Sequence, residues 1–138
     1  MNVFTTPINV RFMDIDVMGH VNHTIVIGYF TEGRNRFLDK HYSGFSPHGF
    51  PFIMAYVGCH YHKPINLEDN VLLEVWVKEI RNKSLKLGYK LVRSDDISIT
   101  YAIGESVQVC YDYKYNASIP IPYDLRMNLE SYHHTDSE

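Results

Sequence analysis

From Thr24 to Phe30 the chain reads T-I-V-I-G-Y-F, apolar on nearly every side once it is wound into a helix. A helix of that kind is enclosed rather than laid on a surface. Whatever fold this chain adopts must therefore supply a cover for it. Asn22, just ahead, offers a side-chain oxygen to a free backbone N–H and fits an N-cap. The helix is expected from about His23 to Lys40, a rise of roughly 25 Å, enough to cross a whole sheet. Gly28 and Gly33 each cost about 1 kcal/mol against alanine inside a helix. They are expected where the helix backbone comes close to a sheet or to another subunit. Glu32 and Arg36 stand four apart, a pairing suited to the solvated edge.

The segments on either side of the helix read as sheet. Val3–Met13 is the first strand, with Pro7 suiting an edge position or a strand start. Asp14–Asn22 is a loop that pivots at Gly19, since glycine takes backbone angles closed to other residues. Ser43–Pro51 is a Gly/Pro/Ser loop, and Phe52–His62 is an apolar strand that ends before Lys63-Pro64. Val71–Ile80 and Ser84–Arg93 alternate apolar and polar side chains, the mark of half-buried strands. Ile97–Tyr113 is a long last strand. A short helix follows at Tyr123–Leu129, and Ser131–Glu138 is expected to fray. Short turns at Arg81–Lys83 and Ser94–Asp96 make the last three strands antiparallel neighbours. The order β-α-β-β-β-β is that of an α+β layer architecture, a sheet around one helix.

The whole chain, residues 1–138, is expected to form one domain. A chain of that length buries roughly two-thirds of its unfolded surface, enough for a core without metals or disulfides. A net charge of −3 excludes the strongly basic surface that phosphate neutralisation needs, so nucleic acid is not an expected partner. Cys59 and Cys110 lie in strand-like runs without C-x-x-C spacing and read as buried free thiols in a reducing compartment. The first residues, M-N-V-F-T-T-P, lack the charged and apolar regions of a signal peptide. No apolar run approaches the roughly 20 residues of a membrane span. A cytoplasmic protein is expected.

Five polar residues crowd the break before the helix: Asp14, Asp16, His20, Asn22 and His23. A carboxylate near a helix N-terminus is electrostatically favoured. The first-turn amides are free donors that can polarise a carbonyl or hold an oxyanion. A carboxylate beside such amides suits acyl transfer, the acid serving as nucleophile or general base. Asp14 and Asp16 could equally do no more than shape or cap the loop.

The run V-R-F-M-D-I-D-V-M-G-H-V-N-H, with Glu32 and Arg34 beyond it, resembles the signature of hotdog-fold acyl-CoA thioesterases of the 4-hydroxybenzoyl-CoA thioesterase type. Those proteins commonly read R-F-x-D-x-D-x-x-G-H-V-N-N, then an aromatic-rich helix ending in E-x-x-R or E-x-R. The downstream order of elements fits as well, including P-I-P before a terminal helix. The resemblance implies a five-stranded antiparallel sheet wrapped around one long central helix. It implies an acyl-CoA substrate, subunits paired edge to edge as a homodimer or homotetramer, and active sites at the dimer interface. Asp16 takes the place of the catalytic carboxylate. The backbone N–H of His23 takes the place of the amide that polarises the thioester carbonyl. Gly19, His20, Val21 and Asn22 match motif positions that would line the site. The chain departs from the pattern at His23, where a second Asn is usual, and at Val26, where a tyrosine is common. Both lie where the acyl group would enter, so substrate preference is expected to be set there.

Other readings stand beside this one. Glu32 is a helix glutamate of the kind a related branch uses as its catalytic acid, and its structural alternative is pairing with Arg36 or Arg34. His20, His23, His60 and His62 could together hold zinc, but the resemblance implies neither metal nor cofactor. Lys78, Arg81, Lys83, Lys86 and Lys90 could meet the phosphates of coenzyme A or form a charged, solvated strand face. S-P-H-G-F-P around His48 resembles a loop of hotdog dehydratases or hydratases. A non-catalytic acyl-CoA binder is the remaining alternative.

Overall fold

The structure, a computed structural model, describes residues 2–42 and 51–134. Its elements are β1 (Phe4–Ile8), α1 (His23–His41), β2 (Phe52–Tyr61), β3 (Val71–Ile80), β4 (Ser84–Arg93), β5 (Asp96–Asp112), β6 (Ala117–Ser118) and α2 (Tyr123–Leu129). Five strands form one antiparallel sheet in the order β1-β3-β4-β5-β2, and the two-residue β6 adds to β5. Among the described residues no helix is long and apolar enough to cross a membrane.

The order places β1 and β2 at opposite edges, so the segment joining them has to traverse the sheet. Four strand spacings amount to roughly 19 Å. The 19 residues of α1 rise roughly 28 Å, which is ample. Its buried stripe runs Val26, Tyr29, Phe30, Gly33, Phe37 and Leu38, the three-and-four spacing of a helix packed on a sheet. Phe30 stacks on Tyr89 of β4, centroids 4.8 Å apart. Phe37 meets Phe4 of β1 and Tyr132 near the C-terminus. A Cβ on Gly33 would collide with the Leu73 side chain, so this glycine is where the helix backbone closes on β3. The two alternating strands have their apolar sides here: Leu73, Val75 and Val77 of β3 and Leu85, Leu87, Tyr89 and Leu91 of β4 are all 0% exposed.

Several expectations are corrected. The first strand stops at Ile8, not Met13. Asp14 folds back and accepts from the Arg11 backbone N–H at 3.0 Å, while Asp14 N–H donates to Arg11 C=O at 2.9 Å. A side chain that satisfies nearby backbone in this way competes with the sheet ladder, and Phe12–Asp14 becomes a single 3-10 turn. The helix is not enclosed all round. Thr24 and Gly28 are exposed and Ile25 and Ile27 half-buried, because one sheet covers one face. Gly28 has nothing within 4 Å of a built Cβ, so no close approach among the described residues explains it. The fraying expected over Ser131–Glu138 is not found over residues 131–134, and the rest of that stretch lies outside the described residues. Tyr132 is buried against Phe37 and His41, and His134 stacks on Trp76. The expected loop around His48 lies outside the described residues.

Candidate active site

The loop between β1 and α1 separates its two acids by environment. Asp14 is 2% exposed. It accepts from the Tyr29 hydroxyl at 2.6 Å and pairs with the Arg11 guanidinium at 3.1 Å. Burial alone would raise its pKa, but the Tyr29 hydroxyl and both Arg11 donors outweigh burial and hold the carboxyl below its ordinary value. Tyr29, buried and facing that charge, is pushed well above the ordinary tyrosine range and remains a donor. Asp14 is thus consumed by the fold.

Asp16 is half-buried and borders a cleft of about 330 Å³. One carboxylate oxygen accepts from Met18 N–H at 2.9 Å, and the other from Asn22 Nδ2 at 3.2 Å. Gly19 N–H closes the turn onto Asp16 C=O at 3.0 Å, with Gly19 at φ +83°. That backbone is left-handed, the region glycine enters without strain.

Asn22 links this turn to the helix. Its Oδ1 accepts from Thr24 N–H at 2.9 Å and from the Thr24 hydroxyl at 2.6 Å, so the expected N-cap is formed. Ile25 and Val26 N–H groups both reach Asn22 C=O. An α-helix begins with four unclaimed N–H groups. Three are spent here: Asn22 N–H on Asp14 C=O, Thr24 N–H on Asn22 Oδ1 and Ile25 N–H on Asn22 C=O, while Val26 N–H makes the first regular helical bond. The fourth, His23 N–H, donates to nothing among the described residues. One amide at the mouth of the cleft is left available, tied through Asn22 to a carboxylate.

The cleft brings together Asp16, His20, Val21, His23 and Val26 from the expected set. Gly19 and Asn22 are not on its wall; they shape it from behind. Met18 of the same loop also lines it. The rest of the lining comes from the end of β2 and the loop after it (Tyr61, His62, Lys63, Pro64 and Ile65) and from Tyr101 and Ala102 of β5. Nothing in the local pattern around Asp16 pointed to these. They arrive because Val21 N–H bonds Ile65 C=O at 2.9 Å and because β2 pairs with β5.

The other candidates separate. Glu32 pairs with Arg36 at 2.7 Å, its structural reading, and Arg36 also holds Thr6 and Pro7 of β1. His62 reaches the cleft, but His60 lies in a depression with Lys78 and Glu105, so the four histidines do not converge. Among the described residues no three His, Cys, Asp or Glu side chains gather as a metal site. Lys78 and Lys86 approach Glu105, and Arg81 binds Glu79. Cys59 and Cys110 are unbridged, half-buried and buried, and burial pushes both thiols up.

Comparison with known proteins adds what geometry cannot. A search of curated proteins found no match. Among solved structures, a predicted thioesterase from Bacillus stearothermophilus superposes with a TM-score of 0.90 at 24% identity, over 99% of this chain and 100% of that one. A thioesterase from Thermus thermophilus, complexed with coenzyme A and Zn, gives 0.81 at 25% identity, over 93% and 97%. A 1,4-dihydroxy-2-naphthoyl-CoA thioesterase from Synechocystis gives 0.82 at 14%, over 93% and 96%. Below 25% identity such likeness speaks for the fold alone. The sequence profile of the thioesterase-like superfamily, however, matches residues 10–129, from the start of the Asp16 loop to the last residue of α2. With the Asp16 loop, α1, strands β2 to β6 and the terminal helix inside one continuous match, this chain belongs to the thioesterase-like superfamily.

Proposed function

We propose that this protein hydrolyses an acyl-CoA thioester to a free carboxylic acid and CoA. Asp16 either attacks the thioester carbonyl carbon or takes a proton from the water that does. The His23 N–H receives the oxyanion as the tetrahedral carbon forms, and CoA leaves as thiolate. In the base route Asp16 passes the proton it took to sulfur and is a carboxylate again, while the acid keeps the other proton of water. In the nucleophilic route water then cleaves the acyl-Asp16 anhydride, its hydroxyl going to the acyl carbon and its proton to the thiolate, and Asp16 leaves as carboxylate. A donor fixed before the reaction is worth more than one that must be recruited. The observation that carries this reading is the cap itself: Asn22 holds Asp16 with its amide nitrogen and Thr24 with its oxygen, and His23 N–H is left free.

In this reading α1 is the helix a hotdog sheet wraps, and its half-buried Ile25 and Ile27 meet a second copy. The sheet has a free edge at β2, where Ile53, Met54, Tyr56 and Val57 are 36–51% exposed. Such an edge pairs or aggregates unless it is covered. A homodimer joined there, alone or stacked as a tetramer, brings a partner to the cleft. No cofactor is required. Two unpaired thiols suit the cytoplasm.

A non-catalytic acyl-CoA binder is the second reading. It draws on the fact that both Asp16 oxygens already accept hydrogen bonds, as in a purely structural turn. A dehydratase or hydratase would depend on His48, outside the described residues. Free-thiol release measured across short, long and aromatic acyl-CoAs decides among them. The expected result is cleavage by the wild type and a fall in kcat of at least about 10²-fold in Asp16→Asn. Near-wild-type activity in that variant would remove Asp16 from the chemistry, and absence of any cleavage would favour the binder.

A further inference from the structure

Tyr61 stands at the end of β2, an edge strand that sequence reasoning gave no part in the site. Its hydroxyl donates to the backbone carbonyl oxygen of His23 at 2.9 Å, across 38 positions of sequence. Its ring meets the His23 ring edge-on, centroids 6.3 Å apart at 83°. Both residues border the cleft. His23 is therefore gripped twice, through its carbonyl and through its side chain, by a residue from another element.

This bond is unusual in what it holds. The carbonyl of a helix's first residue ordinarily serves the N–H one turn on, and needs no side-chain donor. The amide on the other side of the same residue is the one N–H of the first turn that the cap leaves open. Fixing the carbonyl of residue 23 limits rotation about its own backbone, and so limits where that N–H lies. Asn22 anchors the preceding residue through Asp16 and Thr24. With Tyr61 in place, the open amide is held from both sides. Burial, then the neighbouring Cys59, push the Tyr61 phenol above its ordinary value, so it keeps its proton and remains a donor.

We infer that Tyr61 is a positioning residue for the His23 amide, acting through the His23 carbonyl and not through contact with the reacting atoms. The inference rests on the proposed thioesterase reading. It makes a claim that a pocket-lining tyrosine would not meet. A residue that aligns the oxyanion donor affects every acyl group alike, because the oxyanion is common to all thioesters. A residue that touches the acyl group affects some acyl groups more than others, and does so through KM.

The test is Tyr61→Phe, which keeps the ring and removes one oxygen at a site half open to solvent, so the fold is expected to survive. Steady-state kinetics over the acyl-CoA panel is paired with NMR of the His23 backbone in the free protein. Loss of one orienting hydrogen bond is expected to lower kcat about tenfold for every substrate cleaved, with KM within about twofold. The His23 carbonyl 13C signal should shift, and its amide 15N relaxation should report larger motion. Unchanged kcat, or a loss confined to some acyl groups with raised KM, overturns the inference. So does an unchanged His23 signal, whatever the activity. If the wild type releases no thiol from any acyl-CoA, the thioesterase reading fails and the catalytic part of this inference fails with it. The NMR arm then still reads whether Tyr61 holds the peptide.

Discussion

At the scale of single residues, two aspartates two positions apart have opposite assignments, and burial is what divides them. Asp14 is nearly inaccessible and has three donors, one of them the buried Tyr29 hydroxyl. Asp14→Asn should cost about 2 kcal/mol of stability in urea unfolding, since it leaves buried donors poorly matched. The sign with pH follows from the depressed folded value. The ionised form is favoured by folding, so Asp14 contributes fully above its ordinary value of 3.8. That contribution is lost as pH falls through the lower folded value. Wild-type stability should therefore fall more steeply on acidification there than that of Asp14→Asn. Asp16→Asn should show the reverse pattern, a large loss of thiol release with little change in unfolding midpoint. The motif match nominates Asp16 as the catalytic candidate, but no local pattern distinguishes an acid spent on folding from one left accessible. The distinction needed Tyr29, fifteen positions away in sequence and adjacent only once α1 is formed.

At the scale of elements, the loop, cap and helix start behave as one unit. Asn22→Ala should cost about 1 kcal/mol as a lost N-cap. It should also lower kcat, because the same side chain bonds Asp16. Thiol release measured beside thermal unfolding checks both effects. The helix–sheet contact has a tight point of its own at Gly104 of β5, where a Cβ would meet the Phe30 ring and lie 2.7 Å from the Gly58 carbonyl oxygen. Backbone on one side and a buried ring on the other leave little room to relax, so Gly104→Ala should destabilise by about 2 kcal/mol, read from chemical unfolding. Most elements were legible. The alternation of β3 and β4, the span of α1 to within one residue and the short α2 all follow from local pattern. The truncated β1 was not, because the Arg11–Asp14 turn is a side-chain competition that periodicity does not register.

At the scale of the whole molecule, exposed apolar surface gathers at β2 and at the loop carrying Asp16, where Phe12, Met13, Val17 and Met18 are 75–102% exposed. If β2 is the seam between copies, Val57→Lys should shift the protein toward monomer in sedimentation velocity, by placing a charge where an apolar partner is due. Activity should fall with it if the cleft is completed across that seam.

The sequence by itself determined the pieces that rest on neighbours. These are the strand alternation, the cap at Asn22, the glycine turn at Gly19 and a motif that nominates Asp16 and His23. Only the tertiary structure decided which acid is spent on folding, which first-turn amide stays open, and that Tyr61, His62, Ile65 and Tyr101 face the same cleft. The reason is physical. Helix and turn signals are written in hydrogen bonds over three or four residues, whereas this cleft is closed by pairing between β2 and β5 and by a loop-to-loop bond from Val21 to Ile65. Contacts that long in sequence leave no periodic trace, because any apolar edge strand could have been paired there.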